Sequence, residues 1–441
     1  MSLKLPHSGA AIRLSRLAQS GGNHDTLRQS KSHGRNREMK ATIRTSVLGF
    51  RRFIATGAVA ILAAVAMSGV ARAQGSPPAE MKTSAKQAIL IDASTGAVLF
   101  QHNADELAPP ASMSKLMTLA VVFRALKEGR IKLEDEYLFS VNAWRTGGAP
   151  SGTSAMFVPV NTRETLAEML KGIIIQSGND ACIAIAEGMA GSEAAFAKMM
   201  TDEARRLGLT KSTFRNSTGL YDPEHLMTAR ELALVARHII QDYPDRYTIF
   251  AEREYRYRKH RFYNRNPLLP LDIGVDGLKT GYIKEAGYGL VASAKQDGRR
   301  IILVVNGMES AADRKSEAVR LLEWGFKGFG EFKLFDPEEV VGRARVWGGD
   351  RMFVPLIGGN DINVLLPKAQ SGQRLQAQII YKSPLKAPLK KGDVVAQLRV
   401  TTASQSVNMV PLQAGEDVPE GGTMRRGLDT LAHMAFGWVL K

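Results

Sequence analysis

Hydrophobic and polar positions follow two different periods along the chain, and the switches between them mark its elements. Ala88-Ile89-Leu90-Ile91-Asp92 and Ala97-Val98-Leu99-Phe100 are short apolar runs flanking Ala93-Ser94-Thr95-Gly96, which predicts a strand, a turn and a strand. Beyond Pro110 the period lengthens, and Leu116, Leu119, Ala120, Phe123 and Leu126 form the stripe of a buried helix. Thr165-Leu166-Ala167-Glu168 and Thr228-Ala229-Arg230-Glu231 each set a threonine three residues before a glutamate, a helix-start signal. The first leads into Leu170, Ile173, Ile174 and Ile175, and the second opens an apolar helix through Ile240. Ser177-Gly178-Asn179 interrupts two helical runs sharply.

From Val275 the pattern turns to period two. Residues 288–294 and 301–305 are apolar runs on either side of Gln296-Asp297-Gly298, a hairpin signal, and a helix over 313–326 follows. Sheet elements at both ends with helices between them predict an α+β domain over residues 85–330, an antiparallel sheet covered by the last helix. Residues 331–422 break into short strands, such as 343–347, 375–381 and 394–400, between Gly-Gly, Pro and Lys-Gly-Asp turns. That pattern predicts a small all-β domain, read as a spacer ahead of substrate or partner binding. In residues 423–441, Met424, Leu428, Leu431, Ala432, Ala435 and Val439 recur at helical spacing while charges occupy other positions. The prediction is a C-terminal amphipathic helix lying in an anionic membrane surface.

Composition changes this picture at one end. The 441 residues, 44% hydrophobic and 23% charged, suit two or three globular domains, but the net charge of +16 is unevenly placed. Residues 1–73 hold twelve Lys and Arg against Asp25 and Glu38, a net of +10, which leaves +6 for the remainder. A modestly basic body suits an anionic membrane or polymer and gives no reason to expect nucleic acid. Lys40, Arg44, Arg51 and Arg52 precede the apolar run 53–70, which ends in Ala71-Arg72-Ala73. This is the form of an export leader over 39–73, cleaved after Ala73, which places the mature chain in the periplasm. Residues 1–38 are polar and aperiodic, a disordered extension or the product of an early start codon, and 74–84 form a linker. Cys182 is the one cysteine, so no disulfide framework exists within the chain, and its apolar setting reads as a buried structural thiol. No Cys or His cluster has zinc spacing, so neither metal nor cofactor is expected.

The candidate chemistry lies in three short segments. Ser112 and Lys115 are three apart at the mouth of the apolar helix, on one face, so the hydroxyl has a built-in base. The pair alone is weak, because Ser383 and Lys386 repeat it in a Pro-rich stretch. Ser177-Gly178-Asn179 alone is weaker still, since 140–142 and 406–408 also match its Ser-x-Asn spacing. Lys279-Thr280-Gly281 occurs once, on a predicted strand beside a hairpin. Together and in this order they match the signature of β-lactamases and penicillin-binding proteins. A lysine with an ordinary pKa of about 10.4 is a poor base near neutrality, and a second cation, Lys279, is expected to keep Lys115 uncharged. Ser112 then attacks a carbonyl, with the amides of Ser112 and Tyr282 as the oxyanion hole. Ser177 passes the proton to the leaving amine, and Asn179 holds the lysine or the substrate amide. Lys279, Thr280 and the strand edge receive an extended peptide and its carboxylate.

Residues 85–329 resemble a serine D-Ala-D-Ala carboxypeptidase of the low-molecular-mass penicillin-binding protein family. Ala111-Ser112-Met113-Ser114-Lys115-Leu116-Met117-Thr118, Gln176-Ser177-Gly178-Asn179-Asp180-Ala181-Cys182 and Val275-Asp276-Gly277-Leu278-Lys279-Thr280-Gly281 carry the resemblance. It implies a β-lactamase-like catalytic domain, a β-rich second domain and a C-terminal amphipathic anchor, and so covers nearly the whole mature chain. It also implies loss of the terminal D-alanine from peptidoglycan stem pentapeptides through an acyl-enzyme, with β-lactams as inhibitors. Many members carry His where this chain has Tyr282, a change that bears on deacylation or substrate preference. Arg265 and Arg314 resemble family arginines near the site, where they attract the substrate carboxylate or form ordinary salt bridges. Three alternatives stay open: an endopeptidase, a non-catalytic wall scaffold, and a β-lactamase, which needs a Glu-x-x-Leu-Asn base that Glu224-His225-Leu226-Met227 does not match.

Overall fold

The structure is a computed structural model that describes residues 81–368, 376–401 and 407–422. The expected extension, export leader, most of the linker and the terminal amphipathic helix lie outside these residues. Strands β1 (Gln87–Asp92) and β2 (Val98–His102) form from the first two apolar runs. Asp92 shapes the turn between them, its Oδ1 accepting from the amides and hydroxyls of Ser94 and Thr95.

A 3₁₀ turn, Ala111–Ser114, leads straight into α1 (Lys115–Lys127), so the expected single helix carrying both Ser112 and Lys115 is divided between the two residues. The division favours their contact, because three residues per turn bring positions i and i+3 into line. Leu116, Leu119, Ala120 and Phe123 are fully buried and Leu126 partly so, and each large apolar side chain contributes about 2 kcal/mol.

Strands β3 (Glu136–Leu138) and β4 (Arg163–Thr165) pair ahead of α2 (Leu166–Lys171). Both threonine caps form: Thr165 Oγ1 accepts from the Glu168 amide at 3.4 Å and Thr228 Oγ1 from the Glu231 amide at 3.0 Å. α2 widens over Gly172–Gln176, Ser177 adopts a left-handed φ of +66°, and α3 (Asn179–Ala190) begins two residues later. Next come α4 (Glu193–Arg206), α5 (Ala229–Asp242), α6 (Pro244–Tyr247) and a hairpin of β5 (Glu254–Tyr257) and β6 (His260–Tyr263).

Strands β7 (Val275–Ile283), β8 (Gly287–Gln296) and β9 (Arg299–Met308) follow, with left-handed Asp297 and Gly298 as the turn between β8 and β9. Helix α7 (Ala311–Gly328) runs two residues further at each end than the sequence predicts, capped by Ser310. The sheet order is β7-β8-β9-β1-β2, all antiparallel, with β7 outermost. Alternate residues enter different cores: Ile89 and Ile91 join the one built by α1, α3 and α5, while Ala88 and Leu90 face α7. With both faces covered, these strands read as unbroken apolar runs rather than as alternations.

The remaining strands are β10 (Phe329–Phe335), β11 (Gly342–Trp347), β12 (Phe353–Ile357), β13 (Ile362–Pro367), β14 (Gln376–Ile380), β15 (Leu385–Lys386), β16 (Val394–Thr401) and β17 (Val407–Ala414). They enclose a third core around Val354, Leu398, Val400 and Leu412. The architecture is thus α+β followed by an all-β domain, joined edge to edge where Val407 of β17 pairs with Val98 of β2. Among the described residues no helix is long and apolar enough to cross a membrane.

Candidate active site

The 3₁₀ turn, the start of α3 and the outer strand β7 converge on two buried lysines. Lys115 has no exposed surface and Lys279 is 2% exposed. Lys115 Nζ donates to Ser112 Oγ at 3.0 Å, to Asn179 Oδ1 at 2.6 Å and to the Thr218 carbonyl at 2.5 Å. Lys279 Nζ donates to Ser177 Oγ at 2.9 Å and to the Thr280 carbonyl at 3.2 Å. The left-handed Ser177 and the Gly178 that follows set the serine toward β7 and Asn179 toward α1.

β7 reaches the nucleophile turn because Gly281 has no side chain. A Cβ there would sit 2.9 Å from the Pro110 carbonyl oxygen and 3.1 Å from Ala111 Cβ. Thr280 is almost buried, and Tyr282 is exposed with its ring 4.2 Å from that of Tyr288, its cross-strand partner. Arg265 donates to Ser154 Oγ at 2.8 Å. Arg314 reaches the Gly289 carbonyl at 3.5 Å, lies over the Tyr288 ring, and leaves its buried Nε without a partner. Neither arginine forms an ion pair with a carboxylate among the described residues, so the ordinary salt-bridge reading of both falls.

Electrostatics correct one expectation. Burial is the main cause that brings Lys115 down to about 8, and Arg265 is the cation that adds to it. Lys279 is pushed well below the ordinary lysine range by burial and then by the charge of Lys115, a repulsion the two lysines share.

Several groups that sequence reasoning missed complete the site. Asn216 Oδ1 accepts from the Thr218 amide and hydroxyl and from the Gly219 amide, an Asx turn that aims the Thr218 carbonyl at Lys115. Gly219 has φ +77°, and a Cβ on it would collide with the Ala111 carbonyl. The Asn216-Ser217-Thr218-Gly219 composition is a turn signal, but nothing local ties it to a lysine 103 residues away. Thr153 Oγ1 accepts from Asn179 Nδ2 at 2.9 Å, and the Ser154 carbonyl accepts from the Asn179 amide at 2.7 Å. Asp180, whose carboxyl burial pushes up, accepts from the Met156 and Phe157 amides and fixes the same loop. Glu224, the nearest thing to a β-lactamase base in the sequence, is paired with Arg215 at 3.2 Å. Cys182 is fully buried, as expected of a structural thiol.

A serine held by a buried lysine, with a second serine–lysine pair beside it, defines a serine acyl-transfer enzyme of the penicillin-recognising class. The D-alanyl-D-alanine carboxypeptidase family matches residues 72–310, and the C-terminal domain of penicillin-binding protein 5 matches residues 329–420. The chain belongs to the D-alanyl-D-alanine carboxypeptidase family, whose members are serine-type hydrolases. It is 41% identical over 352 residues to D-alanyl-D-alanine carboxypeptidase DacC of Escherichia coli, covering 79% of this chain and 88% of that protein. Its fold is similar to the crystal structure of penicillin-binding protein 5 from Haemophilus influenzae, with a TM-score of 0.66, 35% identity, and coverage of 78% and 99% of the two chains. A Listeria monocytogenes penicillin-binding protein in its ampicillin-bound form is also similar, with a TM-score of 0.50, 26% identity, and coverage of 56% and 98%.

Proposed function

We propose that this chain removes the terminal D-alanine from peptidoglycan stem pentapeptides through an acyl-enzyme on Ser112. The observation that carries the reading is the 3.0 Å contact between Ser112 Oγ and the amine of a fully buried lysine. Lys115 takes the serine proton as Oγ attacks the carbonyl carbon of the penultimate residue. The amides of Ser112 and Tyr282 receive the oxyanion, and losing one such donor costs about 3 kcal/mol. Ser177, held by Lys279, returns a proton to the nitrogen of the departing D-alanine, and water then hydrolyses the ester. The outer edge of β7 pairs with the extended peptide, while Thr280, Lys279, Arg265 and Arg314 offer donors to its carboxylate. A β-lactam meets the same attack, but its leaving nitrogen stays tethered, so the acyl-enzyme persists.

The composition of residues 39–73 supports export to the periplasm, and the apolar spacing of residues 423–441 supports peripheral attachment to the outer face of the cytoplasmic membrane. The test is Ser112→Ala, which abolishes covalent labelling by fluorescent penicillin and D-alanine release from a pentapeptide. Label retained on the variant would move the nucleophile elsewhere. Cleavage of cross-linked dimers without D-alanine release from the pentapeptide would make the enzyme an endopeptidase.

A further inference from the structure

The β5–β6 hairpin places a concentrated positive surface beside the site. Residues 253–265 carry Arg253, Arg256, Arg258, Lys259, Arg261 and Arg265 against one acid, Glu254. Its inner face is apolar and fixed: Tyr255 and Tyr257 are buried and donate their hydroxyls to Glu168 and Glu164, each at 2.6 Å, and Phe262 packs beside them. Its outer face is basic and exposed. Arg253 pairs with Asp272 and Arg261 with Glu254, but Arg256, Arg258 and Lys259 have no carboxylate partner among the described residues.

Two choices in this hairpin cost stability. Arg256 stands directly opposite Arg261 in the register, a like-charge pair that weakens a two-stranded ribbon. Arg258 occupies the turn at φ +52°, a conformation that favours Asn or Gly. A fold that tolerates both keeps positive charge there in spite of the cost.

The hairpin is coupled to the reacting groups. Phe157 stacks on His260 at 5.1 Å, and its loop also carries Ser154, which meets Arg265 through its hydroxyl and the Asn179 amide through its carbonyl. From the turn at Lys259 through Arg261 to the end of β6 at Tyr263 the outer face runs about 14 Å at 3.4 Å per residue, and Arg265 follows two residues beyond the strand. That length exceeds a small anion and suits a polymer.

We propose that the outer face of the β5–β6 hairpin is a docking surface for the carboxylate-bearing part of polymeric peptidoglycan, upstream of the bond cut at Ser112. The inference rests on the function proposed above. The stem peptides of this polymer present free carboxylates from glutamate and diamino-acid residues, repeated along each strand, so the charge complementarity is extended. The surface raises the capture of polymer without touching the chemistry.

The experiment compares the full chain with the triple variant Arg256→Gln, Arg258→Gln, Lys259→Gln. On pentapeptide-rich peptidoglycan at low salt, the half-saturating concentration rises about tenfold with kcat unchanged, as losing three exposed charge contacts predicts. Added salt closes the gap between the two proteins. Penicillin labelling and turnover of diacetyl-lysyl-D-alanyl-D-alanine, whose one charge is the terminal carboxylate held at the site itself, stay within about twofold, which also reports a folded site. Unchanged peptidoglycan turnover overturns the proposal. So does an equal loss on the short peptide, or lost binding to phosphatidylglycerol vesicles with peptidoglycan capture intact. Lys259→Glu alone, at the exposed turn, reproduces the effect at smaller size if the triple variant misfolds. Should the wild type release no D-alanine from either substrate, the carboxypeptidase reading fails. Co-sedimentation with peptidoglycan, weakened in the variant or not, then still decides whether the surface binds it.

Discussion

The two lysine pockets of this site are both sealed from water, yet they are built differently. At the head of α1, Lys115 has three acceptors, matching the three protons of an ammonium; on β7, Lys279 has two. Burial depresses both, but the better-supplied pocket stops at about 8, while the other falls well below the ordinary range under the added charge of its neighbour. Burial and the charges around each amine set how far each is depressed, and the acceptors decide what each amine holds. Lys115 sits close enough to neutrality to give it up on demand, and Lys279 serves mainly to hold Ser177.

The largest expected effect tests that division directly. Lys115→Met removes the proton acceptor and lowers the acylation rate by fluorescent penicillin about 10⁴-fold, the scale of losing a full member of a catalytic unit. Lys279→Met acts through Ser177 and lowers it about 10²-fold. Stopped-flow acylation of both variants, with near-ultraviolet circular dichroism to confirm the fold, reads the ratio. Equal losses would mean that the two pockets work as one proton-sharing unit and that the difference in acceptors is immaterial.

That comparison also separates what the sequence discloses from what it hides. Caps, turns and signature segments are local: Thr165 and Thr228 cap because of neighbours three residues on, and Asp297-Gly298 turns because both residues accept left-handed backbone. The order of Ser112, Ser177 and Lys279 likewise identifies the chemistry without coordinates. The cause of the Lys115 shift is not local. It depends on how α1, α3 and the Asn216–Gly219 turn close around one amine, and on Arg265 arriving beside the loop that carries Ser154. Sequence reasoning therefore finds the base but credits a neighbouring charge with a shift that burial chiefly makes. It also extends one helix through Ser112, because the apolar stripe cannot distinguish a 3₁₀ turn from the first turn of an α-helix.

A second variant sharpens the comparison through pH. The acylating form has Lys115 uncharged, so kcat/KM rises with pH below about 8 and levels above it. Asn179→Asp puts a carboxylate where Oδ1 now lies 2.6 Å from Nζ. An opposite charge at that distance favours the ammonium, so the midpoint moves up toward the ordinary lysine value. Activity at pH 7 then falls about tenfold for each pH unit moved, and partly recovers at higher pH. A pH–rate profile whose midpoint stays at about 8 in this variant would show that a charge at the position of Asn179 does not govern the protonation of Lys115.

The smallest effect is expected at Cys182, and it bears on whether the two pockets are a pair or a trio. Both lysines lie near enough to this thiol for each to pull its pKa down, and a thiolate there would act as a counter-charge stabilising both ammonium groups. Burial outweighs that pull and pushes the thiol up to about 12, so it stays neutral across the working range. Cys182→Ala therefore removes a buried sulfur from the core and no charge. Stability drops by about 1 kcal/mol, while the acylation rate stays within about twofold and the midpoint at about 8 is unmoved. A midpoint that drops in the alanine variant would instead identify the thiolate as a charge partner of Lys115, one that partly offsets the depression burial causes.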